Sequence, residues 1–351
     1  MARNINRRQF FALAGTAGAA FALGGALAGC SSSNDAAPST SESASSETAS
    51  ESTASSGPIE VTLGVPTAPP TLPVLRMIDS KALGEDVTIN LDVWTAPDQL
   101  IAMVQDSEHD MFAFPLTVVS TLFNKGLDVR LMNVNTWGVT YFLTTDPNFG
   151  SWSDLKGKTV HIPLQSSPPD ALTQYFIDEA GLVPGEDVEI VYASTDEVTQ
   201  LLASGQAQYA TQIEPQVTAA LSKNPNLRRA LSFEEEWQRV TGTDTMIPNA
   251  GFGTKQSFVD ENPDFVAAFQ DAYQEALEWV VANPAEAAKL AEAELGMQAA
   301  LVEQAIPNMG LHFKTAPDAA AELADFYELL HTYDPSMIGG DLPTEEMYYQ
   351  A

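Results

Sequence analysis

The chain predicts an α/β fold laid out in two successive parts, and three observations carry that reading. Between residues 58 and 134, period-two apolar alternation gives way repeatedly to helix-length segments, as in strands joined by helical crossovers. After residue 157 the same succession starts over. From residue 262 onward the pattern is mostly helical.

The elements follow in order. Residues 59–65 (IEVTLGV) alternate and stop at Pro66. Residues 70–80 suit a helix, and 87–93 alternate again up to Trp94. A helix over 98–104, a short strand over 110–114, a helix opening at Pro115 and a strand over 128–134 complete the first unit. Such repetition predicts a parallel sheet flanked by helices. In the second unit, strands over 158–162, 188–192 and 208–212 alternate with helices over 169–180, 196–203 and about 215–223. Pro163, Gly181 and Ser204-Gly205 punctuate them. In the tail, Asn262-Pro263 and Asn283-Pro284 each set a capping residue before a proline at the first helical position. Phe265, Phe269, Ala272, Tyr273, Ala276 and Val280 form one apolar face. A last helix over 318–330 buries Leu323, Phe326, Tyr327 and Leu330.

The N-terminus reads as an address. Arg3, Arg7 and Arg8 precede an uncharged, Gly- and Ala-rich stretch over 10–27, an export signal rather than a permanent span. Arg7-Arg8-Gln9-Phe10-Phe11 resembles a twin-arginine signal, and Leu27-Ala28-Gly29-Cys30 resembles the lipobox of bacterial lipoproteins. That resemblance implies a signal peptide over 1–29 and lipidation of Cys30, hence an extracytoplasmic protein anchored to the membrane. Residues 31–57 are almost all Ser, Thr, Ala and Glu and cannot bury enough surface to offset ordering entropy. Segment 30–57 therefore reads as a tether reaching roughly 30 Å.

Composition excludes several classes. The chain carries 47 Asp+Glu against 16 Lys+Arg, a formal charge of −31, which disfavours nucleic acid and anionic lipid surfaces. One cysteine in 351 residues excludes an internal disulfide. Gly157-Lys158-Thr159 ends like a phosphate-binding loop, but Trp152 stands where its first glycine belongs. His109, His161, His312 and His331 lack metal-ligand spacing, and no catalytic constellation emerges. The reading is of a binding protein with neither cofactor nor metal, not an enzyme.

Ser153-Asp154-Leu155-Lys156-Gly157-Lys158-Thr159-Val160 is similar to the "DLKGK" stretch of type II periplasmic binding proteins. Gly181-Leu182-Val183-Pro184-Gly185, the Glu214-Pro215 corner, and Asn262-Pro263 followed by Asn283-Pro284 resemble further landmarks of that family in the same order. The family resembled is the nitrate, sulfonate and taurine type, which includes binders of a thiamine pyrimidine precursor. It covers roughly residues 59–330. It implies a two-lobed fold with a ligand cleft between the lobes. Lobe 1 would comprise 58–137 and 250–351, and lobe 2 138–249, with crossings near 135–140 and 246–251. It further implies a monomer that delivers a small-molecule solute to the permease of an ABC importer powered by separate ATPase subunits.

Ligands of α/β folds bind at the carboxyl ends of strands, before helix N-termini. Lobe 1 then offers Thr67, Pro69, Thr71, Trp94, Thr95, Phe114, Pro115, Thr117, Asn135, Thr136 and Trp137. Lobe 2 offers Gln165, Ser166, Ser167, Asp170, Ser194, Thr195, Gln212 and Glu214. This set is rich in hydroxyls, amides and aromatic rings and contains no Lys or Arg. A sulfonate- or nitrate-type anion held by hydroxyls and helix N-termini ranks first. A neutral or basic aromatic precursor stacked on Trp94 or Trp137 and bonded to Glu214 is the alternative. An enzyme or a sensor on the same fold is a further one.

Overall fold

The computed structural model describes residues 58–350. Arg7, Arg8, Cys30, the signal peptide over 1–29 and the tether over 30–57 lie outside the described residues. Among the described residues, no helix is long and apolar enough to cross a membrane.

The first stretch runs β1 (Ile59–Pro66), α1 (Thr71–Ser80), β2 (Val87–Trp94), α2 (Pro97–Gln105), β3 (Met111–Pro115), α3 (Leu116–Asn124) and β4 (Val129–Trp137). The chain continues through β5 (Thr140–Thr144), β6 (Thr159–Pro163), α4 (Pro168–Glu179), β7 (Glu189–Ala193), α5 (Thr195–Ser204), β8 (Tyr209–Ile213) and α6 (Gln216–Lys223). Then come β9 (Arg228–Ser232), α7 (Phe233–Thr241), β10 (Pro248–Lys255), α8 (Gln256–Glu261), α9 (Pro263–Ala282) and α10 (Pro284–Leu295). Last are α11 (Ala299–Ala305), β11 (Leu311–Thr315) and α12 (Ala320–Tyr333).

Two sheets form, a six-stranded one ordered β11-β4-β10-β3-β1-β2 and a five-stranded one ordered β7-β6-β8-β5-β9. They are mixed, which corrects the expectation of parallel sheets. β1 pairs parallel with β2 and β3, but β10 runs antiparallel between β3 and β4, and β11 antiparallel on β4. In the second sheet, β6 is parallel to β7 and β8, whereas β5 is antiparallel to β8 and β9. The segment read as a bare return crossing is thus a full strand. Its glycines permit the insertion, since a Cβ on Gly251 would lie 1.9 Å from the Asn133 carbonyl oxygen and one on Gly253 2.5 Å from that of Arg130.

Side-chain alternation divides the core. On the first sheet, Met111 and Ala113 of β3 join Val61, Leu63 and Val65 of β1 against Phe265, Phe269 and Tyr273 of α9. Phe112 and Phe114 face the opposite side, toward α2, α3 and α12. A strand buried on both faces needs an unbroken apolar run, which Met-Phe-Ala-Phe supplies. In the second sheet, Leu143 and Ala210 pack on α5 and α6. The chain passes from the first sheet to the second at Gly138 and Val139, between β4 and β5, and returns over 242–247, between α7 and β10. Trp237 of α7 packs on Phe326 of α12 behind these crossings.

Candidate functional site

The carboxyl ends of β1, β2, β3 and β6 and the N-termini of α1, α3, α4, α5 and α6 converge on a cavity of about 370 Å³ between the sheets. Of the candidates named from sequence, Thr67, Trp94, Thr95, Phe114, Ser167 and Thr195 line it, as do Pro69, Pro115, Thr136 and Ser194. Strand ends deliver them because each strand stops where its following turn must climb into a helix.

The remaining candidates lie away from this lining, each for a definable reason. Thr71 is buried and its hydroxyl donates to the Pro66 carbonyl. Asn135 is buried in a polar chain, donating to Asn133 Oδ1 at 3.0 Å and accepting from the Thr136 hydroxyl at 3.0 Å. Trp137 donates its indole N–H to the His312 carbonyl of β11 at 2.7 Å, so the ring is core. Thr117 donates to the Ser166 carbonyl at 3.0 Å, while Gln165 and Ser166 are exposed in the turn before α4. Gln212 supports the start of α5, donating to the Thr195 carbonyl at 3.0 Å. Glu214 is fully buried, where it pairs with Arg229 and accepts the Thr218 N–H at 3.0 Å. It is neutralised from behind and cannot act as the counter-charge of a basic solute.

The turn before α4 is strained and externally held. Leu164 (φ 53°) and Ser166 (φ 64°) both adopt the left-handed region, at a cost of about 1–3 kcal/mol each. Asp170 holds it, accepting the Ser166 N–H at 2.7 Å, the Gln174 amide at 2.8 Å and the Tyr192 hydroxyl at 3.0 Å. Burial pushes the Asp170 carboxyl above its ordinary value, against the lowering effect of those three donors. The result presents Leu164 and Ser167 to the cavity.

Several lining residues were not foreseen. Asn249 and Ala250 come from β10, Gln216 from the first turn of α6, and Leu295 from the end of α10. Strand-end logic could have found Gln216, two residues past Glu214. Leu295 carries no local signal, because it reaches the cavity only through the packing of the C-terminal helices.

Three buried polar atoms without a hydrogen-bond partner belong to lining residues: Trp94 Nε1, Ser167 Oγ and Gln216 Oε1. Buried polar atoms are seldom left unpaired unless a ligand or solvent completes them. The rest of the wall is largely apolar, with Phe114, Val139, Leu164, Ile213 and a run of prolines. Among the described residues no Lys or Arg lines it, and the one charged residue that does is Asp196. Prolines stand at the starts of α1, α3 and α4, where a helix would otherwise offer free N–H groups. At α1 the Thr71 and Leu72 N–H groups are already taken by the Ala68 and Pro69 carbonyls at 3.0 and 3.2 Å.

Comparison with known proteins places this arrangement. The YtlA protein of Bacillus subtilis, named as a binding protein, is 28% identical over 131 residues. Those residues are 37% of this chain and 36% of YtlA, so the match spans about a third of that relative's length. An ABC transporter structure from Parabacteroides distasonis superposes with a TM-score of 0.70 at 21% identity, covering 84% of this chain and 99% of that one. The periplasmic aliphatic sulphonate binding protein SsuA of Escherichia coli superposes with a TM-score of 0.69 at 13% identity, covering 84% and 93%. At these identities the likeness is one of fold, the two-lobed type II periplasmic-binding-protein fold. The family model described as "NMT1/THI5 like" matches residues 89–287, more than half of the sequence, and the chain belongs to that NMT1/THI5-like family.

Proposed function

We propose that this chain is the solute-binding subunit of an ABC importer, working outside the cytoplasm on a lipid attached to Cys30 after twin-arginine export. It closes its lobes on one small solute and hands it to a permease driven by separate ATPase subunits. The family, the fold and the names of the neighbouring structures support this role.

The solute is a small, uncharged heteroaromatic molecule. The observation that carries this is the trio of unpaired polar atoms in a largely apolar wall that, among the described residues, has no Lys or Arg. Such a wall suits a flat apolar body that carries a few polar groups. The anion reading draws on the sulphonate-binding neighbour, but Asp196 and the prolines that open α4 oppose it. Glu214, engaged by Arg229, is not free to partner a basic solute, which leaves Asp196 as the carboxylate of the wall.

The purified full chain should be titrated in parallel with 4-amino-5-hydroxymethyl-2-methylpyrimidine, taurine and nitrate, following tryptophan fluorescence. Saturable binding of the pyrimidine alone supports the reading, and saturable binding of taurine or nitrate alone overturns the solute class. Native mass spectrometry of the same preparation would weigh any co-purified solute directly.

A further inference from the structure

Glu234 sits where the lobes are joined. The Gly138 N–H donates to the Ile247 carbonyl at 3.0 Å, tying the outgoing crossing to the returning one. The Ile247 N–H donates in turn to Glu234 Oε2 at 3.0 Å. Gly138 (φ 51°) lies against the same carboxylate, since a Cβ on it would come within 2.6 Å of Oε2. Glu234 opens α7, which packs on β5 and β9 of the second sheet and is anchored by the fully buried Phe233 and Trp237. A side chain carried by lobe 2 is therefore bonded to the strand about to enter lobe 1. Burial pushes its carboxyl above the ordinary value of 4.5, opposed by the Ile247 N–H, so the bond is made where water competes weakly.

We propose that Glu234 is the hinge clamp of this protein: by holding Ile247 beside Gly138, its carboxylate sets the angle between the two lobes. Two-lobed proteins close by changing a few backbone torsions at such crossings. A clamp on one of them limits which angles the pair can reach. Glu234 is outside the cavity lining and acts through the backbone, as a positioning residue. The inference is independent of what the cleft holds.

A merely structural role would lower stability and leave the lobe angle unchanged, so the angle is the quantity to read. The test uses the full chain with Cys30→Ser and nitroxide labels at Lys81→Cys and Lys223→Cys. Both positions are exposed, at the far ends of α1 and α6, whose N-termini meet the cavity from opposite lobes. Pulsed electron–electron resonance then gives the distance distribution between lobes. Glu234→Ala should widen it about twofold, and Glu234→Gln, which keeps an acceptor oxygen for Ile247, should leave it native. Gly138→Ala should widen it as well, because the new methyl displaces the carboxylate. Ala variants that melt cooperatively yet give a distribution superimposable on the parent's would overturn the proposal, as would a Gln variant as broad as the Ala one.

Discussion

The hydroxyl of Thr117 on α3 donates to the carbonyl of Ser166, in the turn leading into α4, across the cleft at 3.0 Å. Thr117 lies just past β3 of the six-stranded sheet, and Ser166 just past β6 of the five-stranded one. Thr117 was picked from sequence as a ligand contact. In this structure it bridges the lobes beside the cavity, at a turn that Asp170 holds.

Thr117→Val keeps the volume and deletes that donor. We expect the pyrimidine to bind about 2- to 10-fold more weakly, the worth of one hydrogen bond, with the loss in the dissociation rate. Stopped-flow fluorescence on the variant checks this. An unchanged dissociation rate would mean the bond is incidental to closure.

Trp94→Phe separates ring from N–H. The indole nitrogen is buried and unpaired, so its removal should leave the unliganded protein's melting temperature unchanged or slightly higher. Binding of a solute that accepts from it should weaken by about 1–2 kcal/mol, or roughly tenfold. Calorimetric titration and a thermal melt on the same sample read the two quantities, and equal affinity would remove the indole N–H from the recognition set.

Glu214→Ala should act on stability rather than on recognition. It strands Arg229, whose side chain is about one-third exposed, so we expect a loss of about 1–3 kcal/mol, below that of a fully buried pair. Urea denaturation measures it. A stable variant that no longer binds the pyrimidine would return Glu214 to the cavity.

The stability of this chain should rise as pH falls from 8 toward 5. Burial raises the folded-state carboxyls of Asp170 and Glu234 above their ordinary values of 3.8 and 4.5. A raised group stabilises the fold fully below its unfolded value, and the contribution is lost as pH climbs through the folded value. Relief of self-repulsion in a chain of formal charge −31 acts in the same direction. Asp154 and Asp187 go the other way. Backbone N–H donors hold both below 3.8, so what they add is lost as pH drops under that value. Melting temperatures from pH 3 to 8 should therefore show a maximum on the acid side of neutrality. A curve that declines steadily from pH 8 downward would contradict the assignment.

What could be read in advance was whatever the chain states locally. β1 and β2 alternate over their whole length, and the proline-led starts of α9 and α10 announce themselves. β10 was hidden because Gly251 and Gly253 erase its strand propensity, and they are there to let Asn133 and Arg130 approach. Trp94 and Trp137 look alike in sequence, since each ends a strand. Only the His312 carbonyl, 175 residues away from Trp137, decides that one is core and the other wall. Glu214 is settled by Arg229 of β9, which β5 separates from β8 in the sheet. Partners distant in sequence decided the site, and those are the contacts a single sequence leaves unwritten.

The prolines at the mouths of α1, α3 and α4 carry a consequence for how such receptors diversify. Each withholds an amide hydrogen from the point where a helix dipole would concentrate positive potential. Exchanging one of them for serine or alanine is a single-nucleotide step that restores a donor at that helix start. On the solute class proposed above, a receptor for neutral rings and one for oxyanions are close neighbours in mutational distance, separated less by architecture than by a handful of missing hydrogens.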